Sequence, residues 1–386
     1  MLPTIVKLDN PIQHYAWGSH AAIAALQRRA TPTQEPEAEL WIGDHPLAPS
    51  RVLEATGTTA LSDWLSRDPE RSLGPGRVQL PFLTKVLAAA HALSVQVHPD
   101  ARQARAGFDR ETRAGVPDAK RCYRDPSGKH ELLIALSRFE ALCGFRADSE
   151  VGSALAAVPL AASWLDGHRS EAPLAMVLFE RLQQVSEEER RRICEELTTF
   201  ANGADGLEAE WIGRLLTDHP GDPLAMAPLF LNPVVLEPGQ ALVVCPGTVH
   251  SYLFGTGVEV MTRSDNVIRG GLTEKHVDWR ELARVSLPCA GPVEAIEPEA
   301  IPGDGCETLY ATGTEEFGVR TLAFESDQLI VRGGGRVAVL LCVEGAVEAG
   351  GIDLSAGEAA LVPASLEGYE MKGSAGTSRV FEVSSG

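Results

Sequence analysis

With 386 residues the chain exceeds what one ordinary hydrophobic core organises, so two or three domains are expected. Hydrophobic residues at 44% and charged residues at 23% are the composition of a folded globular protein, and a formal net charge of -19 makes nucleic acid and anionic membrane poor partners. An anionic substrate would therefore need positive side chains gathered locally in its pocket. Residues Met1 to Asn10 lack a basic flank followed by an apolar run, and no stretch reaches the roughly 18 apolar residues of a membrane helix. Cysteines 122, 143, 194, 245, 289, 306 and 342 stand singly, without a CxxC pair. A disulfide framework or a cysteine zinc knot is thus disfavoured, and a reducing cytoplasm is the expected location.

The first part, to about Arg146, carries short apolar runs broken by Gly and Pro. Phe82 to Leu87 and Leu93 to His98 read as strands, the second closed by Pro99-Asp100. From about Asp148 to Pro228 the chain turns rich in Ala, Leu and Glu. Ser186 with Glu189 reads as a capping box, and Ile193, Leu197 and Phe200 follow on one helical face. Strand character returns at Phe230. Leu236-Glu237-Pro238-Gly239 leads into an apolar run ending at Pro246, and Leu354-Ser355-Ala356-Gly357 into one ending at Pro363. Each phrase reads as a hairpin. The repeat points to two β-barrels of jelly-roll type related by duplication. His250 follows the first copy and no histidine follows the second, so a metal would belong to the first barrel.

Strand alternation puts Gln96 and His98 on one face, with Val97 on the other. Together with Glu131 and His250 they offer two imidazoles, one carboxylate and one amide oxygen, a set suited to zinc or another divalent first-row metal. Read without further context, each of these is equally an ordinary strand residue. Trp17 and Trp41 read as packing anchors, and Asp265-Asn266 as a turn.

Several phrases in series resemble the type I phosphomannose isomerase family: Tyr15 to Ser19, Ala38 to Ser50, Leu80 to Leu87, Leu93 to Pro99, Lys129 to Glu131, Phe139 to Arg146, and Gly257 to Lys275. The resemblance implies a mainly β protein with an α-helical insertion: two cupin-type jelly-roll barrels plus a helical domain. The expected division is a discontinuous catalytic domain of residues 1–147 and 232–300, a helical insertion of 148–231 and a C-terminal jelly roll of 301–386. It implies one zinc ion per chain on Gln96, His98, Glu131 and His250, and an active-site arginine at Arg269. Pocket lysines fall on Lys85, Lys129 and Lys275, and other polar pocket residues on Ser94, Tyr252, Glu259 and Asp265. The implied reaction interconverts mannose 6-phosphate and fructose 6-phosphate through an enediolate. Lys85, Lys275 and Ser94 are the phosphate candidates; Glu259, Asp265 and Lys129 all remain open as the proton-transfer base.

His130 stands where the family usually has proline, and Glu274 where many members have it; neither is a ligand. The rival readings are an isomerase of a free aldose or another hexose phosphate, a metal-binding cupin that senses sugar without turnover, and an iron-dependent cupin oxygenase. The glutamine and the lysines speak against the last. The expected partner is a small sugar phosphate, and the expected state a monomer.

Overall fold

A computed structural model describes residues 4–165, 172–182, 184–301, 306–325, 329–374 and 376–386, and it is mainly β, with helices following one another without strands between Asp148 and Asp218 and others scattered among the strands. The expected strands form. Phe82–Ala89 is buried along all eight residues because it lies between Glu39–Ile42 and His250–Thr262 and is covered on both faces. Val95–Val97 is shorter than the expected run. Its Val95 and Val97 enter the core shared with the helices, so Gln96 and the following His98 turn to the opposite face.

His250–Thr262 organises the ten-stranded sheet. Its first half pairs with Phe139–Phe145 and touches Val95–Val97; its second half pairs with Phe82–Ala89 and Glu131–Ala135. A register shift between Tyr252 and Phe254 marks the change of neighbours. Gly255 follows at φ 121°, where a Cβ would meet the Arg138 carbonyl oxygen at 2.7 Å. Glycine is required there both for conformation and for closeness.

The helical segment comprises Asp148–Ala154, Pro159–Ser163, Leu174–Arg181, Glu187–Gly203 and Leu207–Asp218, with a 3-10 stretch at Pro223–Leu229. The capping box is present: the Ser186 hydroxyl accepts from Glu189 N–H at 3.2 Å, and Glu189 accepts from Ser186 N–H at 2.8 Å. Ile193 and Leu197 are buried, and Phe200 packs at the edge of the same core. This core continues into Val249, Leu253 and Ile268, so the helices back the sheet region that carries the metal candidates. Trp211 adds a polar tie, donating to Glu140 at 2.6 Å.

A nine-stranded sheet joins the C-terminal strands to Val6–Asp9, Arg51–Glu54 and Gly57–Ala60. Its one face meets the ten-stranded sheet through Leu40, Val86, Val258, Val339, Leu361 and Phe381. The other face packs on a four-stranded sheet through residues such as Leu340, Leu354 and Met371.

The repeated phrases are turns but not hairpins. Leu231–Leu236 pairs with Phe139–Phe145, whereas Ala241–Val244 pairs with Glu131–Ala135. In the second copy Ile352–Ser355 pairs with Ala346–Ala349, whereas Ala359–Val362 pairs with Ala338–Glu344 and Val6–Asp9. The two turns share one construction. Gln240 N–H bonds to the Glu237 carbonyl and Glu358 N–H to the Ser355 carbonyl, with Gly239 at φ 95° and Gly357 at φ 83° between them. The Gln240 and Glu358 side chains accept from the N–H of Glu237 and Ser355, both at 2.8 Å. Glycine at the third position matches a type II turn, which here directs the chain to a new neighbour instead of back along itself.

These turns generate a paired test. Alanine at Gly239 has open space and should cost about 1–2 kcal/mol from its left-handed backbone alone, whereas alanine at Gly357 would also place its Cβ 2.4 Å from Gln27 Cγ. Denaturant midpoints should therefore fall for both variants and further for G357A; equal losses would discount the Gln27 contact.

Candidate metal centre and active site

Long-range register brings the metal candidates together. Glu131 opens its strand opposite Val244 and Met261. His250 lies across from Gln96 and Cys143, and Gln96 also faces Arg269. The result is a buried group of His98, Glu131 and His250 whose ligand atoms all lie within 4.8 Å of one another. His98 Nε2 is 3.2 Å and His250 Nε2 is 3.6 Å from the Glu131 carboxylate. Gln96 adds its amide, 3.3 Å from His250 Nε2. Turning that amide end over would aim its oxygen at the same point.

Each imidazole is fixed from behind. His98 Nδ1 lies 2.8 Å from the Asn266 carbonyl and His250 Nδ1 lies 3.0 Å from the Thr248 carbonyl. Donation to those carbonyls leaves both Nε2 lone pairs facing inward, as metal-binding histidines require. Burial, with Lys129 adding to it, pushes His98 down to about 4, and burial lowers His250 as well, so both rings are neutral near pH 7. His98 Nε2 has no hydrogen-bond partner although it is fully buried. An orphaned acceptor beside a buried carboxylate and a second imidazole is the arrangement a divalent cation completes.

Glu131 is also held by Lys129 Nζ at 2.9 Å and by the Tyr252 hydroxyl at 3.3 Å. Burial opposes its charge, but Lys129 and the two histidines outweigh that and keep the carboxyl well below its ordinary range. Across the sheet, the Lys85 ammonium lies 2.8 Å from Glu259 and 3.4 Å from Glu39. Register sets this, since Glu259 and Trp41 both lie opposite Lys85. Trp41 donates to Glu39 at 2.7 Å, and Lys85 sits 5.5 Å from its ring centre. Burial raises Glu259; Lys85 offsets part of this, while Glu131 and Glu39 add to it. Glu259 thus binds its proton far more readily than an ordinary carboxylate.

Asp265 turns to a different partner, His45, at 3.0 Å, and this contact outweighs burial to lower its carboxyl. Ser94 donates to Gln96 at 3.4 Å. Arg269 is lowered by burial and then by the positive charge of Arg124; Lys275 is lowered by burial and then by Arg269 and Arg124. Lys275 rests 5.2 Å above the Tyr15 ring. Three cations close enough for their charges to shift titration within the group, in a protein of charge -19, provide local positive charge suited to an anion.

Sequence reasoning passes over Arg124, His45, Glu39 and Asn266 as participants. The Asn266 side chain accepts from the N–H of Arg124 and Asp125 and donates to the carbonyls of Asp125 and Ser127. It thereby ties the Arg124 loop to the carbonyl that fixes His98. Its place beside Asp265 in a matched phrase is the only signal the sequence offers. His130 has a structural explanation: its Nε2 lies 2.7 Å from the Thr312 carbonyl, which anchors the C-terminal part.

The model of the phosphomannose isomerase type I catalytic domain matches residues 5–148. Mannose-6-phosphate isomerase of Salmonella typhimurium is 37% identical over 350 residues, covering 88% of each chain. The chain belongs to the type I phosphomannose isomerase family. It is an isomerase. The Escherichia coli relative is 35% identical over 390 residues, covering 97% of this chain and 99% of its own. A mannose 6-phosphate isomerase structure bound with zinc and yttrium superposes at a TM-score of 0.90, with 34% identity, over 99% of this chain and 100% of that one. A variant phosphomannose isomerase from Salmonella typhimurium reaches a TM-score of 0.91 at 33% identity, with the same coverage.

The knot around Asn266 leads to an expectation. Asn266→Ala removes no ligand, yet it should weaken metal retention by about 10–100-fold by freeing His98 and the Arg124 loop. Competition against a chelator measures this, and parental affinity in the variant would show that His98 needs no such support.

Proposed function

We propose that the chain is a zinc-dependent aldose–ketose isomerase interconverting mannose 6-phosphate and fructose 6-phosphate, with one zinc ion on Gln96, His98, Glu131 and His250. The observation that carries this reading is the orphaned His98 Nε2 in the buried His98, Glu131 and His250 group, close to a cationic cluster. The names of the relatives and the zinc in a structural neighbour support it. Bound there, zinc supplies Lewis-acid polarisation of substrate oxygens, worth several kcal/mol of charge stabilisation.

The remaining chemistry belongs to the side chains. A proton must pass between C1 and C2 of the open sugar, and the group that carries it works best when tuned toward neutral pH. Of the three candidates, Lys129 is engaged with Glu131 and Asp265 with His45. Glu259 is the raised carboxylate, so this reading gives it the proton, with Lys85 holding it in place. Tyr252 stays protonated, since burial and neighbouring carboxylates raise it, and it steadies Glu131. Arg269, permanently charged, offsets the negative charge that develops on the C1 and C2 oxygens. Lys275 and Arg124 favour a phosphorylated substrate over a free aldose. Lys85 is already committed to two carboxylates and Ser94 to Gln96, which makes Lys275 the main reader of phosphate.

The same reading treats residues 1–147 and 232–300 as a discontinuous catalytic cupin domain, 148–231 as a helical insertion and 301–386 as a jelly roll, with Val6–Asp9 crossing to pair with the last unit. The matched turns at Gly239 and Gly357 support a duplicated barrel. Among the described residues no helix is long and apolar enough to cross a membrane. The net charge of -19 and the cysteines spaced singly along the sequence accord with a cytoplasmic monomer acting on a small sugar.

Steady-state assays on mannose 6-phosphate and mannose, with metal analysis of the same samples, test this function. The parent should turn over the phosphorylated sugar. Arg269→Ala should lower kcat by roughly 10²–10³ with zinc retained, and lysine should restore only part of it. No turnover by the zinc-loaded parent would end the isomerase reading; near-parental kcat in R269A would remove Arg269 from it.

A further inference from the structure

A second set of metal-binding side chains lies outside the centre just described. Cys122 Sγ, a His276 ring nitrogen and an Asp278 carboxylate oxygen all lie within 4.8 Å of one another. The backbone holds two of them firmly. The N–H groups of Cys122 and Tyr123 donate to the two Glu111 carboxylate oxygens, both at 3.1 Å. Asp278 caps the helix Trp279–Val285 by accepting from Glu281 N–H at 3.0 Å through Oδ1. His276 is two residues away on the loop that leads into that helix.

One thiolate, one imidazole and one carboxylate form a donor set for zinc or a softer divalent ion, with a fourth position left for water. At bond lengths of about 2.0–2.3 Å a tetrahedral ion asks for donors roughly 3.3–3.6 Å apart, so the site needs a closure of at most about 1.5 Å. His276, on a loop and unburdened by a capping role, can supply it. The thiolate and Asp278 together match the ion's two positive charges. Carboxylates also gather here: burial, then Glu111, Asp278 and Glu281, pushes the Cys122 thiol up to about 12 against the smaller opposing effect of Arg269. A metal can take the place of that proton, with affinity that rises with pH.

The location gives the site a consequence. Arg269 and Cys122 lie close enough to influence one another's charge, and His276 directly follows Lys275. A divalent ion on Cys122 would add positive charge beside Arg269 and draw the Lys275 loop toward itself. We propose that Cys122, His276 and Asp278 form a second site for a thiophilic divalent cation, and that filling it inhibits the isomerase while the catalytic metal stays bound. The inhibition clause rests on the isomerase reading above; the binding clause does not.

Cadmium is the probe, because a cadmium–thiolate bond has its own ultraviolet charge-transfer band. The zinc-loaded parent, Cys122→Ser and His276→Gln would be titrated with cadmium while absorbance, mannose 6-phosphate turnover and retained zinc are followed. The parent should gain a band that saturates at one equivalent, with activity falling in step and zinc still bound. C122S should lose that band and resist inhibition at the same cadmium concentration, and H276Q should need at least about tenfold more cadmium. Both variants should keep parental activity without cadmium. An unchanged band and unchanged inhibition in C122S would overturn the site, and a Cys122-dependent band without loss of activity would overturn the coupling. A Cys122-dependent band in a parent without isomerase activity would support the site and count only against the proposed function.

Discussion

The structure turns on the carboxylate of Glu131. It is 2% exposed, faces two fully buried neutral imidazoles and keeps its charge because Lys129 stands beside it. A buried carboxylate is costly unless its charge is compensated. Here one lysine compensates it and the geometry leaves His98 Nε2 open for a cation to finish the work. The surrounding construction serves that arrangement. The bend at Gly255 lets one strand deliver His250 to one set of neighbours and Glu259 to another, and the helical segment backs the strand carrying Gln96.

Charge is divided to match. The chain as a whole carries -19, yet beside the metal candidates Arg124 lowers both Arg269 and Lys275, and Arg269 lowers Lys275 further. Lys85, by contrast, is neutralised by Glu259 and Glu39. The pocket thus separates cations available to an anion from a cation that tunes a carboxylate. Under the proposed function, that separation favours a phosphorylated substrate over a neutral sugar.

Much of this is legible in the sequence where the cause is local. The alternation Val95, Gln96, Val97, His98 shows which side chains share a face, and the Ser186–Glu189 box marks a helix start, because both follow from neighbouring residues. What depends on distant pairing is not legible. The Leu-x-x-Gly phrases look like hairpins, and only the register shows that each turn hands the chain to a different strand. The pairing of Lys85 with Glu259, of Asp265 with His45, and of Val6–Asp9 with the C-terminal sheet have the same origin. Arg124 escapes notice because nothing about its own neighbours shows that it will come near enough to Arg269 to lower it.

The central claim is that the first metal bound takes nitrogen and oxygen donors from Gln96, His98, Glu131 and His250. X-ray absorption at the zinc edge, on protein carrying one equivalent of zinc, tests it most directly. The account predicts a shell of nitrogen and oxygen at about 2.0–2.2 Å with imidazole scattering and no sulfur. A sulfur neighbour at about 2.3 Å would contradict it, since that would place the first zinc on a cysteine and leave the buried Glu131 group without its cation.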